Sequence, residues 1–381
     1  MTVAFVLITP WWRGSIDFDG LASALARQGH APVLVCRRND AGSANFPVVE
    51  ATAAEYAEAG FWRGLGLDAA MVFSWLHEPA LVRTLREAGV RTVLRADHDG
   101  MASVRVFPGA TWRTTVASAQ PLWNRLRCVR HWCRRWLRGH QQEDAVVMAA
   151  IEAADAVMIE TQEAANNLIR IFDWYGRQGL EAKLRVVPHS VHDAFLTADF
   201  EDGKRAPRIF CGGRWSDPQK DARLLSATLR RLLRREPDLH VSIAGDAPPD
   251  AFSEWTGHPR AQFLGKLPRE NLISLLGGSR MILSTSRWES HPIGSLEALC
   301  LGGGVVGPAL PGMISLADGG RSGTLAATRS ASALAEAASC ELAVWSKGLR
   351  DPRAIARRWR SRVSNEAVAA GMIRVFEEGA A

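Results

Sequence analysis

The chain lacks most of the signatures that would place it at a glance. Its six cysteines, Cys36, Cys128, Cys133, Cys211, Cys300 and Cys340, form no CxxC pair and join no cysteine–histidine cluster at zinc spacing. That leaves no metal site to expect, and the apolar surroundings of several cysteines suit reduced, structural thiols in a cytoplasmic protein. No run of 18 or more apolar residues occurs, so no membrane-spanning helix is expected. The first ten residues, from Met1 to Pro10, carry no basic stretch and read as a strand, so a signal peptide is not expected either. There is no short-period repeat and no low-complexity tract. Zinc-finger, RRM and basic-zipper patterns are missing as well. The mild basic balance, +6 with a pI near 9.3, therefore points to a phosphorylated small molecule or anionic lipid before nucleic acid.

What is present is a rhythm. The 381 residues are 47% hydrophobic and 23% charged, ordinary for a soluble protein of two domains. Short apolar runs alternate with helical patterns. Strands are predicted at Val3–Ile8, Pro32–Cys36, Ala69–Phe73, Thr92–Arg95, Ala156–Ile159 and Leu184–Val187. A second set is predicted at Arg208–Cys211, Leu239–Ala244, Ala261–Leu264, Met281–Ser284, Gly304–Val306 and Gly323–Ala326. Helices are predicted at Asp19–Gln28, Asp221–Arg234 and Arg269–Leu276. Repeated βα units imply parallel sheets covered by helices, and two sets imply two doubly wound α/β domains. The polar stretch Ala198–Pro207 is the best linker, dividing residues 1–195 from 196–354. A last helix, about Pro352–Glu377, can pack on either domain, and its part from about 355 is assigned to the first.

Ligands of open α/β sheets bind outside the carboxyl ends of the strands, and the loops there carry the chemistry. After the strand at 281 comes a loop with Glu289, Pro292, Ile293, Gly294 and Ser295, then a helix holding Glu297, separated from Glu289 by seven residues. A helix start offers free N–H groups and a positive dipole end to an anion. Two carboxylates there suit a ligand that also carries hydroxyls, as a sugar nucleotide does. After the strand at 208 comes Gly212-Gly-Arg-Trp-Ser-Asp-Pro-Gln-Lys-Asp221. This is neither a GxGxxG nor a Walker loop. It does set Gly213, Arg214 and Lys220 on one strand-to-helix turn, and two cations can neutralise a diphosphate without a metal. Taken singly, these residues read equally as surface cations on a loop and a glutamate complementing a helix dipole.

As a set, residues 185–325 resemble the retaining nucleotide-sugar glycosyltransferases of the two-domain GT-B type, family 4. The resemblance is carried by Val187-Pro-His-Ser-Val191, Gly213-Arg214 with Lys220, Ile243-Ala-Gly-Asp246 and Phe263-Leu-Gly265. It continues through Glu289 to Glu297, Gly303-Gly-Val-Val306, Gly312 and Asp318-Gly-Gly320. It implies two Rossmann-like domains facing across a cleft. It also implies transfer of a sugar from a UDP-, GDP- or dTDP-sugar to an acceptor hydroxyl with retention of anomeric configuration. No cofactor is implied beyond that co-substrate. Arg214 and Lys220 would hold the donor diphosphate, Glu297 the ribose hydroxyls, and Glu289 would lie near the transferred sugar or the diphosphate. Backbone groups of Ile293, Gly294 and Ser295 would add phosphate contacts, and Leu264 and Gly265 would lie beside the base. A sugar-nucleotide epimerase of similar architecture, or a non-catalytic nucleotide-sugar binder, is the alternative.

The first half departs further from that pattern. Its first loop is Thr9-Pro-Trp-Trp-Arg-Gly-Ser15 with a single glycine. Gly14 or Ser15 would approach the donor phosphate. Trp11 and Trp12 either stack on an acceptor or pack internally. After the strand at 92, Arg95-Ala-Asp-His-Asp-Gly100 resembles the family's cleft histidine. His98, with Asp99 beside it, either positions the sugar and acceptor or acts as a base. The acceptor itself is a carbohydrate, a lipid-linked group or a small molecule. Residues 123–138 are rich in tryptophan and arginine. As a helix they set Leu126, Val129, Cys133, Trp136 and Leu137 on one side. They read either as a peripheral membrane contact at the inner face or as a helix packed on the first domain.

Overall fold

The computed structural model describes residues 1–8, 16–40, 44–73, 78–119, 123–200, 202–203 and 205–378; the side chains of 16–17 and 139–142 are not described. Trp11, Trp12, Gly14 and Ser15 lie outside these residues. The chain divides into two compact units. The first comprises Met1–Trp112, Val129–His192 and Val363–Ala381; the second comprises Arg113–Cys128 and Asp193–Arg362.

The first unit is built on seven parallel strands: β1 (Thr2–Leu7), β2 (Ala31–Cys36), β3 (Val48–Glu50), β4 (Ala69–Phe73), β5 (Arg91–Ala96), β6 (Ala156–Ile159) and β7 (Leu184–Val186). They lie in the order β3-β2-β1-β4-β5-β6-β7. Most of these strands read as unbroken apolar runs because both faces of the sheet are covered. The pleat sends alternate residues to opposite cores. Ala4 and Val6 join Trp62, Leu85, Leu168 and Phe172 on one face. Val3, Phe5 and Leu7 join Phe18, Leu25, Met372 and Phe376 on the other.

The second unit has six parallel strands: β8 (Arg208–Gly212), β9 (His240–Ala244), β10 (Ala261–Phe263), β11 (Met281–Leu283), β12 (Gly304–Pro308) and β13 (Gly323–Ala326). Their order is β10-β9-β8-β11-β12-β13. The helix Ala222–Arg235 shows why its sequence folds as it does. Leu225, Leu229, Leu232 and Leu233 recur at helical spacing and are all buried against Ile209, Ile243 and Leu283. Each contributes roughly 1.5–3 kcal/mol of burial.

Twelve of the thirteen strands fall within a residue or two of the sequence-based expectation. The exception is β3, three residues at the sheet edge with little apolar surface to signal it. The expected last helix is two helices, Pro352–Val363 and Asn365–Glu377. Ser364 separates them because it leaves the helical conformation and its side chain caps the second helix at the Ala367 N–H, 3.1 Å away. Among the described residues no helix is long and apolar enough to cross a membrane. All six cysteines are free thiols.

Candidate functional site

In an open α/β sheet the connections run to opposite sides from the point where strand order reverses, which opens a crevice there. In the second unit that point lies between β8 and β11. The loops leaving these two strands carry Gly213–Asp221 and Ser284–Pro292. Together they wall a cleft of about 610 Å³. Of the residues singled out in the sequence, Gly213, Arg214, Lys220, Glu289, Ile293, Gly294 and Glu297 all line it.

The Arg214 loop is held from beneath. The Trp215 indole is buried, donates to Ala244 O at 2.8 Å and packs edge-on against Phe252. The Trp215 backbone N–H donates to Asp246 O at 2.6 Å. Gly245 makes this approach possible. Its φ is +123°, and a Cβ there would sit 1.8 Å from Gly213 O, so only glycine lets the β8 and β9 loops touch. Arg214 itself is mostly exposed, 3.5 Å from Asp217, and free to swing toward an anion.

Lys220 and Glu289 form an ion pair at 2.5 Å. Ser286 Oγ donates to the same carboxylate oxygen at 2.6 Å. Glu289 is buried, so the sequence's two cations and two carboxylates are not independent: one of each is already joined in the cleft wall. Glu297 sits in the first turns of the helix Ile293–Cys300, which begins at Pro292 with no side-chain cap. That end faces the cleft through Ile293 and Gly294, a placement suited to phosphate oxygens.

Beneath Lys220 lies a support that the sequence reading did not include. Asp221 adopts a left-handed conformation, φ 52°. Its carboxylate caps the helix at Leu224 N–H and pairs with Arg287 at 2.8 Å and with Arg329. Burial pushes the Arg287 guanidinium below its usual pKa, with Asp221 opposing that shift. Arg329 also donates to Ser286 O (3.0 Å) and Thr285 O (3.2 Å), while Thr285 Oγ1 donates to Lys220 O (2.7 Å). Gln219 Nε2 donates to Trp288 O at 2.7 Å. The Lys220 loop and the Glu289 loop are thereby laced together. Asp221 carried a local signal, a polar residue ahead of a helical pattern. Arg329 lies 108 residues away in the chain, and nothing near it announces the contact.

Three further candidate residues are not among those lining the cleft. Leu264 and Gly265 do not line the cleft; their chain neighbours Lys266 and Leu267 do. The Leu264 N–H continues the strand ladder to Ile243 O, and Gly265 O receives the Gly245 N–H, each at 2.8 Å, so both serve the backbone. Ser295 is buried and lines an adjoining recess of about 60 Å³ that shares Lys220, Glu289, Ile293 and Gly294 with the cleft.

His98 and Asp99 belong to the first unit, just past the carboxyl end of β5. His98 Nδ1 accepts the Gly100 N–H at 3.0 Å, which places the neutral ring's proton on Nε2. Burial pushes the His98 pKa down, against the opposing carboxylates of Asp99 and Asp97. Asp99 Oδ1 accepts the Met101 N–H at 3.0 Å, and its carbonyl accepts Asn167 Nδ2 at 2.9 Å. Both side chains are thus engaged in shaping the turn.

Residues 206–343 match the model of a family described as glycosyl transferases group 1. No curated protein matches the chain by sequence. Solved structures do match in fold. Anabaena Alr3699/HepE, crystallised in complex with UDP, aligns with a TM-score of 0.69 at 12% identity, covering 99% of this chain and 100% of that one. A glycosyltransferase from Rickettsia africae ESF-5 aligns with a TM-score of 0.69 at 14% identity, covering 99% and 98%. Sucrose-phosphate synthase from Thermosynechococcus elongatus aligns with a TM-score of 0.62 at 15% identity, covering 99% and 98%. The two doubly wound units are the GT-B fold of such glycosyltransferases.

Proposed function

We propose that the chain transfers a sugar from a nucleotide-diphosphate sugar to an acceptor hydroxyl, with retention of anomeric configuration and without a metal ion. The observation that carries this reading is the cleft wall in which Arg214, the Lys220–Glu289 pair, Glu297 and the uncapped helix start at Ile293 converge. In this reading Arg214 and Lys220 meet the diphosphate. The bond from the anomeric carbon to the phosphate oxygen breaks, and their charges stabilise the departing nucleoside diphosphate. The acceptor oxygen attacks from the face the diphosphate leaves, and its proton passes to the leaving phosphate oxygen. Glu289 orients Lys220 and reaches the sugar side of the cleft, while Glu297 accepts hydrogen bonds from ribose hydroxyls. UDP in the Anabaena relative makes a uridine donor the first to try. His98 and Asp99, with Trp11 and Trp12, are assigned to the acceptor side.

A thermal-shift screen of UDP-, GDP- and dTDP-sugars against the purified chain tests this. One donor class should stabilise the protein, by about 2.7 kcal/mol at a hundred times its Kd. Glu297→Ala should weaken that donor roughly 10- to 100-fold, the loss of one or two hydrogen bonds to a charged acceptor, with the free protein still folded. If no nucleoside diphosphate binds and none is released from any sugar nucleotide, the reading is wrong. Accumulation of an epimerised free sugar nucleotide would assign an epimerase instead.

A further inference from the structure

Residues 100–142 contain eight arginines and neither aspartate nor glutamate. Within them begins the helix Asn124–Ala153. Several large apolar side chains just ahead of it and in its first half do not face a core. Trp123 is 77% exposed, Leu126 79% and Leu137 62%. With Trp112 and Trp136, they make five of the ten large apolar side chains exposed in the described chain, so this is a concentrated patch and not scatter. At 3.6 residues per turn, Leu126, Arg130, Cys133, Arg134 and Leu137 share one side of the helix, with Arg127 and Arg138 alongside. All seven are exposed.

The opposite side is already occupied. The Trp132 indole donates to Thr111 Oγ1 at 3.1 Å and packs edge-on against Trp112, and Arg135 pairs with Glu143. Arg105 lies over the Trp136 ring and donates to Leu137 O at 3.3 Å. Further along, the Asp144 carboxylate accepts Ser103 Oγ and Tyr175 OH, each at 2.5 Å. The helix is thus fixed by one side and presents leucine and arginine on the other, with exposed Trp123 just ahead of its first turn.

We infer that this face docks on an anionic phospholipid surface. Leucine and tryptophan side chains of a surface helix enter the boundary between headgroups and acyl chains, while adjacent arginines extend to the phosphates. A nucleic-acid backbone would use the arginines and leave Leu126 and Leu137 without a role. The absence of any acidic residue over this span matches a surface of one sign. The inference is independent of the donor cleft.

Cosedimentation of the full chain with phosphatidylcholine vesicles, with and without about one-third phosphatidylglycerol, tests it. The chain should pellet with the anionic vesicles at low salt. Binding should fall as the screening length shrinks from about 10 Å at 0.1 M salt to about 3 Å at 1 M. Arg130→Ala and Arg134→Ala should each lower partition about fivefold, equivalent to ~1 kcal/mol per basic residue. Leu126→Glu or Leu137→Glu should lower it at least tenfold, with unfolding midpoints unchanged because these side chains lie in solvent. Four results would each overturn the inference: no binding to anionic vesicles at low salt, equal binding to neutral ones, leucine variants that bind as the parent does, or a dimer in solution that the leucine variants split.

Discussion

Lys220→Ala is the sharpest probe of the cleft. The lysine ammonium lies 2.5 Å from Glu289, whose side chain is 7% exposed. Removing one partner of a buried pair strands the other charge and costs ~3–5 kcal/mol. Two features reduce that here. Ser286 Oγ still donates to the same carboxylate oxygen, and the lysine lies at a cleft wall that water reaches. A cost of about 2–3 kcal/mol follows. At roughly 2–4 °C per kcal/mol for a unit of this size, the midpoint should fall by about 4–12 °C. Glu289→Gln leaves an ammonium that the cleft can hydrate and should cost about 1 kcal/mol. The double variant should be more stable than the two single costs add up to, by about 1–2 kcal/mol. Thermal and urea unfolding followed by circular dichroism measure all three. If the donor reading holds, Lys220→Ala should also slow transfer on the order of 10²–10³-fold, the cost of removing one preorganised charge stabiliser. Additive single costs, or a Lys220→Ala variant as stable as the parent, would refute the pair as a buried element. Lost stability with unchanged donor affinity would leave Lys220 a purely structural role.

Two further outcomes are expected. Asp221→Ala removes a helix cap worth ~1 kcal/mol and the carboxylate shared by Arg287 and Arg329. It should lower both stability and turnover, whereas Asp221→Asn, which tolerates the left-handed backbone and keeps the cap, should recover most of the stability; equal losses in both would show that charge alone matters. His98 has a folded pKa below its unfolded value of about 6.5, pushed down by burial. The unfolded chain therefore takes up this proton first. The His98 contribution is complete above that value and is lost as the pH falls through the folded pKa. His98→Gln should flatten the urea-midpoint profile on the acid side of about pH 6.5, and an unaltered profile would contradict the assigned burial.

What was legible in the sequence was whatever the backbone signals locally. Thr2–Leu7 is a buried strand because six consecutive residues suit a sheet covered on both faces. The loops that wall the cleft were legible because ligands of open α/β sheets gather at strand ends, so Arg214, Lys220, Glu289 and Glu297, which line it together, could be singled out from their place in the βα rhythm. Distances between segments were not legible. Lys220 and Glu289 are 69 residues apart, and nothing near either shows that they touch. Gly265 occupies a loop of the expected kind, yet hydrogen-bonds to Gly245 while its neighbour Lys266 takes the cleft wall. The helix from Asn124 is the most instructive case. Periodicity identified an apolar side through Leu126, Cys133 and Leu137, but periodicity defines a face without saying what it meets. Trp132, on the other side, is the residue that packs.

The break at Ser364 bears on the order in which the chain is made. The helix Asn365–Glu377 supplies Val368, Met372 and Phe376 to the core that lies against β1, while the second unit's segments all precede it in the chain. On the ribosome, synthesis of the second unit is therefore finished before the first unit receives its closing wall. Until then the earliest-made sheet has part of one apolar face, around Phe5 and Phe18, bare. Such a surface is what holding chaperones bind and what aggregation exploits. Strand β1 thus waits for a helix made after every segment of the second unit, and that helix closes its face like a latch.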